Sequence, residues 1–284
     1  MLLGIDSKYG SHGLAHVHKL AMIDASGLHP IPSPPDPTME RVAWGGGNAL
    51  VFSSSRSGRR HIYLLPIGGT ARRISPRRGA QDYPAVSPDG RWLTYEQFDP
   101  AASSDRGLRI IALDGGPVRR VTTHRERYTT VTDIEPDFSP DGHWITFARA
   151  TTTGSAVFVV RTDGSHLRRL TSFRMAAIDP RWSPDGSRIL FTRNVFDNGM
   201  LTAVGRLMTV PVSGGPAVAL TRNHSGWAFE ADWSPDGTAV IYKFWEPGWD
   251  HNQLRMTDAD GSADHAIWTG RKATAETPDW VAGL

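Results

Sequence analysis

Asp179-Pro180-Arg181-Trp182-Ser183-Pro184-Asp185-Gly186 is the stretch that decides the fold. Pro presets φ at the second turn position, Asp tolerates the third by bonding its own backbone, and Gly takes the left-handed conformation that leads into a strand. The same tetrapeptide recurs at Ser87–Gly90, Ser139–Gly142 and Ser234–Gly237. Each copy follows a large apolar anchor (Val86, Phe138, Trp182 or Trp233) and precedes an alternating run: Leu93/Tyr95, Ile145/Phe147, Ile189/Phe191 and Val240/Tyr242. Such a run is a β-strand, so each copy is a hairpin between two strands, A and B. A hairpin repeated at this interval is the signature of a β-propeller.

A third apolar run, strand C, follows in each repeat at Ile62–Leu65, Leu108–Ala112, Val157–Val160, Leu207–Val210 and Leu254–Thr257. Gly-containing turns such as Gly68-Gly69, Asp114-Gly115-Gly116 and Asp163-Gly164-Ser165 then lead to a fourth strand, D, ending in Ser or Thr. These residues are what tight hairpins require. Four antiparallel strands make one blade.

The first blade is degenerate: Trp44 precedes Gly45-Gly46-Gly47-Asn48 in place of the usual turn, yet Leu50/Phe52 and Ile62–Leu65 keep its strands. After Trp280 only Val281–Leu284 remain, too few for a blade. The missing strands are at the other terminus, where Leu3/Ile5 reads as strand B, Leu20–Ile23 as strand C and Ile31 as strand D. The fold expected is all-β, a single six-bladed propeller over residues 1–284. Its closing blade is shared between the termini, about residues 1–38 plus 275–284.

The repeats at Asp179–Gly186 and Ala231–Gly237 are similar to those of the TolB-type β-propeller family, and the likeness spans essentially the whole chain. The resemblance implies the fold but no one activity, because the same repeat resembles the propellers of translocation proteins, oligopeptidases and oligogalacturonate lyases. The Gly-x-Ser-x-Gly elbow of the oligopeptidases' hydrolase domain does not occur in the sequence, nor does a His-Glu-x-x-His motif, which argues against a serine peptidase.

With no cysteine, disulfides, thiolate nucleophiles and cysteine-ligated zinc are excluded. No apolar stretch approaches membrane-spanning length, and Met1-Leu2-Leu3 runs directly into an expected strand, so no membrane association is expected and the location expected is cytoplasmic. The formal net charge is only +2, and the doublets Arg72-Arg73, Arg119-Arg120 and Arg168-Arg169 all fall on strand D, the outer edge of a blade. Charge there guards an edge against strand pairing, and no nucleic-acid partner is expected.

Strand alternation places the A–B and C–D turns on one face of the disk and the B–C and D–A loops on the other, where length variation concentrates and a site is expected. Six of the eleven histidines fall in those loops, among them His16, His18, His124, His224 and His251. With Arg127 they are candidate acid–base groups. Tyr128, Trp227, Trp245 and Trp249, with Glu135 and Glu230, are candidate substrate contacts. One acid from each blade stands where strand A enters the channel: Glu40, Asp82, Glu135, Asp179, Glu230 and Glu276. Oxygen ligands around an axis suit a divalent Ca, Mg or Mn ion, with Glu135, Asp179, Glu230 and Glu276 as ligands. Against this, the acids occupy two adjacent registers, and Arg41 and Arg181 stand close enough to neutralise some of them.

Two functions fit. One is an enzyme of the lyase, hydrolase or cyclase kind that takes a small-molecule or saccharide ligand over the channel. The other is a non-catalytic, TolB-like scaffold that grips a protein partner with the same loops. The concentration of histidines and carboxylates favours the first.

Overall fold

The computed structural model describes residues 2–6, 19–24, 27–31, 38–45, 49–98, 106–123, 131–197, 200–221, 226–249, 252–269 and 274–279. The strands follow the apolar runs in chain order: β1 (Leu2–Asp6), β2 (Lys19–Asp24) and β3 (Gly27–Ile31), then β4 (Met39–Trp44), β5 (Ala49–Ser54), β6 (His61–Pro66) and β7 (Arg72–Arg73). Next come β8 (Ala80–Val86), β9 (Trp92–Phe98), β10 (Gly107–Ala112) and β11 (Arg119–Arg120), then β12 (Thr132–Phe138), β13 (Trp144–Thr151), β14 (Gly154–Arg161) and β15 (Arg168–Arg169). The remainder are β16 (Ala177–Trp182), β17 (Arg188–Asp197), β18 (Met200–Pro211), β19 (Val218–Ala219), β20 (Trp227–Trp233), β21 (Ala239–Trp245), β22 (Gln253–Asp258), β23 (His265–Thr269) and β24 (Thr274–Asp279).

Three antiparallel sheets run in simple order, β4 to β7, β8 to β11 and β12 to β15. β16 to β23 form one larger sheet, in which two such runs touch through a single parallel bridge between Gly205 and Trp227. A Cβ on Gly205 would lie 1.9 Å from the Trp227 ring, so this approach requires glycine. The fifth sheet joins the two ends of the chain in the order β24-β1-β2-β3, with Gly4 opposite Glu276 and Ile5 opposite Ala275.

Successive sheets pack face to face, so the middle strands are buried on both sides and side-chain alternation sends neighbouring residues into different cores. In β14, Ala156, Phe158 and Val160 join Phe138, Ile145, Phe147, Leu108 and Ile110 in the core shared with the preceding sheet. Val157 and Val159 face the other way, against Trp182, Ile189, Phe191 and Val210. Each such side chain contributes about 1.5–3 kcal/mol on leaving water.

The Ser-Pro-Asp-Gly turns share one hydrogen-bond pattern. The Ser carbonyl accepts the Gly N–H at 2.8 Å in all four copies, and the glycines lie at φ between +69° and +71°. The Ser hydroxyl donates to the Asp carboxylate at 2.5–2.6 Å and accepts the N–H that opens the next strand, from Trp92, Trp144, Arg188 or Ala239. The Ser or Thr after strand D makes an equally regular bond, in which Ser75, Thr122, Thr171 and Thr221 accept the N–H of Ile62, Leu108, Val157 and Leu207 at 2.9–3.1 Å.

The outer strands β7, β11 and β15 carry the arginine doublets at the sheet edges. There Arg168 Nη2 donates to the Val212 carbonyl of the next unit at 2.7 Å, and Arg119 lies 4.8 Å above the Trp92 ring.

Candidate functional site in the channel

The innermost strands lie against one another in succession, β4 on β8, β8 on β12, β12 on β16, β16 on β20, and β24 against both β20 and β4. Each of β4, β8, β12, β16 and β20 carries a register shift against its partner, a β-bulge four to five residues before its A–B turn. A bulge bends its strand and re-aims a side chain. At it stand Tyr83, Glu135, Asp179 and Glu230, all in the left-handed region at φ 50°, 56°, 50° and 47°. A non-glycine residue there costs on the order of 1–3 kcal/mol, which persists only where surrounding structure imposes it.

Those side chains, with Arg41 from β4, line a cavity of about 180 Å³ bounded also by Asp137, Arg181 and Asp232. The lining comes from the halves of the innermost strands that run into the A–B turns.

Arg41 spans the cavity, with Nη1 3.2 Å from Glu230 Oε1, Nη2 donating to the Tyr83 hydroxyl at 3.4 Å and its guanidinium 4.7 Å from the centre of the Tyr83 ring. Lys243 Nζ, almost wholly buried, holds Glu230 Oε2 at 3.0 Å from behind. Glu135 and Asp179 form a pair: the Asp179 backbone N–H donates to Glu135 Oε2 at 2.7 Å.

Burial and the neighbouring Asp179 charge push the Glu135 carboxyl well above the usual carboxylate range. Burial, then Glu230, raises Asp179 in the same direction. Neighbouring carboxyls in a desolvated site oppose one another's ionisation. Burial and the Glu135 charge raise the Tyr83 hydroxyl as well, which keeps it a donor. Burial alone would lower Arg41, but Glu230, Tyr83 and Asp179 more than offset it and fix the guanidinium as a cation.

The expected acids divide by register. Glu135, Asp179 and Glu230 converge in the cavity. Asp82, one residue earlier in its repeat, turns away to pair with Arg60, and the side chain of Glu40 lies outside what the structure describes. Asp133, not among the expected acids, pairs through both oxygens with Arg149 at 2.7 and 2.9 Å. Glu276 lies in β24. The oxygens of Glu135 and Glu230 already face an N–H donor, a guanidinium and an ammonium, unlike the open oxygen cage that Ca, Mg or Mn requires. Among the described residues no group of three or more His, Asp or Glu side chains is arranged to hold a metal ion.

The three tryptophans expected to wall the ligand have packing partners and do not line this cavity: Trp227 Nε1 donates to Asn194 Oδ1 at 3.1 Å, Trp245 Nε1 to the Trp249 carbonyl at 3.0 Å, and Trp249 meets Phe244 edge-on. His16, His18, His124, His224, His251, Arg127 and Tyr128 lie outside the described residues. Tyr83 and Lys243 are the residues that sequence reasoning missed, and Arg41 entered only as a neutralising charge. A signal for two of them exists: Tyr83, Glu135, Asp179 and Glu230 each stand four residues before the turn serine, and Arg41 four before Gly45, its counterpart.

Residues 83–281 match the TolB beta propeller domain, most of the chain. The chain belongs to the TolB β-propeller family. It is 30% identical over 195 residues to an uncharacterised protein of Agrobacterium fabrum, covering 65% of this chain and 62% of that one. It is 30% identical over 153 residues to a TolB homologue of Chlorobium luteolum, covering 54% of this chain and 33% of the homologue. The TolB-type chain here therefore spans less than two thirds of either relative's length. Among solved structures it superposes on TolB from Acinetobacter baumannii with a TM-score of 0.71 at 18% identity, covering 98% of this chain and 66% of that one. An oligogalacturonate lyase from Vibrio parahaemolyticus superposes with a TM-score of 0.61 at 14% identity, covering 94% and 73%. An oligogalacturonate lyase in complex with manganese gives the same TM-score at 15% identity, covering 94% and 73%. Identities this low speak for the fold alone.

Proposed function

We propose that this TolB-type chain is a six-bladed ring, its closing blade built from β24 and β1 to β3, whose channel binds a small, saccharide-sized polar ligand and transfers a proton to it. The observation that carries this reading is the Glu135–Asp179 pair. Two carboxyls are held by strained backbone in a desolvated cavity. Glu135 is the proton donor, Asp179 its hydrogen-bonded partner, and the Tyr83 hydroxyl and Arg41 guanidinium orient ligand oxygens. Chemistry of the lyase or hydrolase kind needs such a carboxylic acid near neutral pH. In this reading a histidine, His124 or His224, is the complementary base, with Arg127 as its charged partner.

The test is turnover of mono- and disaccharides by the wild type and by Glu135→Gln, followed as new reducing ends or new double-bond absorbance. A loss of about 10²-fold or more, with an unchanged melting temperature, is expected on removing a general acid. In Glu135→Gly the strain is also relieved, so the melting temperature holds or rises while activity is lost. Undiminished turnover by Glu135→Gln removes the assignment. The relation to TolB homologues favours a second reading, a protein-binding scaffold. It wins if the wild type turns over no saccharide while a Trp245→Ala variant loses a protein partner that the wild type retains.

A further inference from the structure

The arginines of the chain are unevenly placed. Residues 42–81, which cover most of the sheet β4 to β7 and the loop after it, contain seven arginines and no Asp, Glu or Lys. Against a net charge of +2 for the whole chain, that formal +7 leaves −5 for the remainder. Some of the seven have partners within the molecule: Arg60 pairs with Asp82, and Arg56 lies 5.2 and 4.8 Å from the centres of the Phe52 and Tyr63 rings. Arg72 donates to the Leu113 carbonyl at 3.5 Å, a neutral acceptor that leaves its charge in place. Arg77 and Arg78 are exposed, and among the described residues no carboxylate meets either guanidinium.

The loop that carries these two is braced. Pro76 fixes φ on one side of them, and on the other Gly79 lies at φ +73°, where a Cβ would collide with Gln97. The Arg78 carbonyl accepts Gln81 Nε2 at 2.7 Å. The Gln81 side-chain oxygen accepts from His61 Nδ1 at 2.6 Å and from Ser75 Oγ at 2.9 Å, and its backbone N–H donates to the Arg60 carbonyl at 2.9 Å. One fully buried glutamine thus ties residues 60 and 75–78 together, where β7 runs into its loop. Guanidinium groups on a braced backbone lose little freedom when they capture an anion.

The surroundings limit the kind of anion. Guanidinium binds carboxylate or phosphate through paired N–H donors, and the segment uses arginine throughout. A long polyanion leaves the corner and meets a remainder of its own sign. Serine hydroxyls hold the exposed carboxyls of Asp89, Asp163, Asp236 and Asp260 below the ordinary range, so these stay ionised. A nucleic-acid duplex, with one charge per ~1.7 Å of axis, is such a polyanion. The exposed large apolar side chains among the described residues, Val118, Leu167 and Val218, all lie outside the segment, so nothing in it enters a bilayer. A short run of carboxylates fits both limits.

We infer that Arg77 and Arg78, with the β7 edge beside them, form a docking site for a short acidic segment of a partner protein. None of its residues lines the channel cavity, so the site is independent of the reaction proposed there. The probe is fluorescein-labelled octaglutamate, followed by anisotropy at about 50 mM salt, where surface charges are weakly screened. Octaglutamine, a duplex DNA and phosphatidylserine vesicles are compared with it. Octaglutamate binds, octaglutamine does not, and the duplex and the vesicles bind more weakly than octaglutamate. Joint replacement Arg77→Ala and Arg78→Ala weakens octaglutamate at least ~10-fold, with an unchanged melting temperature because both side chains are exposed. Joint Arg77→Lys and Arg78→Lys recovers only part of the affinity, since a point charge lacks the paired donors. Octaglutamate binding that the alanine variant leaves intact overturns the inference. Tighter binding of the duplex or of the vesicles overturns it in favour of that partner, and a wild-type dimer that the alanine variant dissolves overturns it in favour of a second copy.

Discussion

Glu135 of β12 stands four positions before Ser139 of the turn that follows, and the two positions obey different rules. Ser139 belongs to a turn whose hydrogen bonds recur in Ser87, Ser183 and Ser234. Its glycine carries the left-handed conformation at no steric cost, and its charge is exposed. Glu135 is buried, takes the left-handed conformation itself, and has a different residue type in almost every repeat: Arg41, Tyr83, Asp179 and Glu230. Constancy across the repeats follows from the requirements of the fold. The bulge and its left-handed backbone recur at this register and belong to the fold in the same way, but the side chain there varies, and desolvated carboxyls at a varying position are the physical basis for placing the site there.

The contrast is most open to challenge at Asp133, two residues before Glu135. It too is a fully buried carboxylate, but Arg149 meets both its oxygens, and Arg149 also lies over the Phe147 and Phe158 rings. Arg149→Met leaves that charge without its partner and is expected to cost about 3–5 kcal/mol. Urea denaturation with an unchanged slope is the measure. A cost no larger than that of a turn substitution would mean that compensated and uncompensated carboxylates cannot be told apart by stability, and the contrast within β12 would lose its meaning.

The fold was legible because hairpin chemistry is local: Pro, Asp and Gly act within four residues, and the anchors and alternating runs follow directly. Even the pairing of Leu2–Asp6 with Thr274–Asp279 could be read, since the strands missing at one terminus were present at the other. The site was legible in part. Glu135, Asp179 and Glu230 stood out as acids entering the channel, while Tyr83 occupies the same place and was passed over because it is not an acid. Register, set by the turn, identifies these positions, whereas residue type does not. Lys243 reaches Glu230 from the adjacent strand, a relation no linear spacing reveals. Trp227 and Trp245 fall at strand ends, in β20 and β21, and with Trp249 stand away from the cavity lining.

Glu96 provides a second contrast, because it is a desolvated carboxyl outside the cavity. Burial pushes it up to about 7 and the charges of Asp82 and Asp133 add to this, while the Thr132 hydroxyl and Arg106 act in the opposite sense. The native state therefore binds the proton more tightly than the unfolded chain, where the value is near 4.5. The penalty is absent below pH 4.5, grows as pH rises towards 7, and is complete above it. Glu96→Gln, which keeps an acceptor for Thr132, should match the wild type at pH 4 and exceed its stability by ~3 kcal/mol at pH 8. Saccharide turnover should be unaffected. A stability gain independent of pH would show that Glu96 is not the group responsible, and lost turnover would extend the site beyond the cavity.

The smallest effect belongs to the turn itself. Ser183 Oγ donates to Asp185 at 2.6 Å and accepts the Arg188 N–H at 3.0 Å, and the Ser183 hydroxyl is the main reason that the Asp185 carboxyl is lowered to about 2. Ser183→Ala removes both of these part-buried bonds, so a cost of about 1 kcal/mol is expected. The Asp185 carboxyl should return towards its ordinary value of 3.8, which a carboxyl-carbon NMR titration follows directly. Because the native value is depressed, the stabilisation due to this carboxylate is present above pH 3.8 and fades as pH falls towards 2. The variant should consequently lose less stability than the wild type over that interval. The equivalent changes at Ser87, Ser139 and Ser234 should agree with it to within about 0.5 kcal/mol, since the sites are separate and alike. A turn that departed widely from the others, or that altered ligand binding, would mean that function is not confined to the strained position and that the turns take part in it.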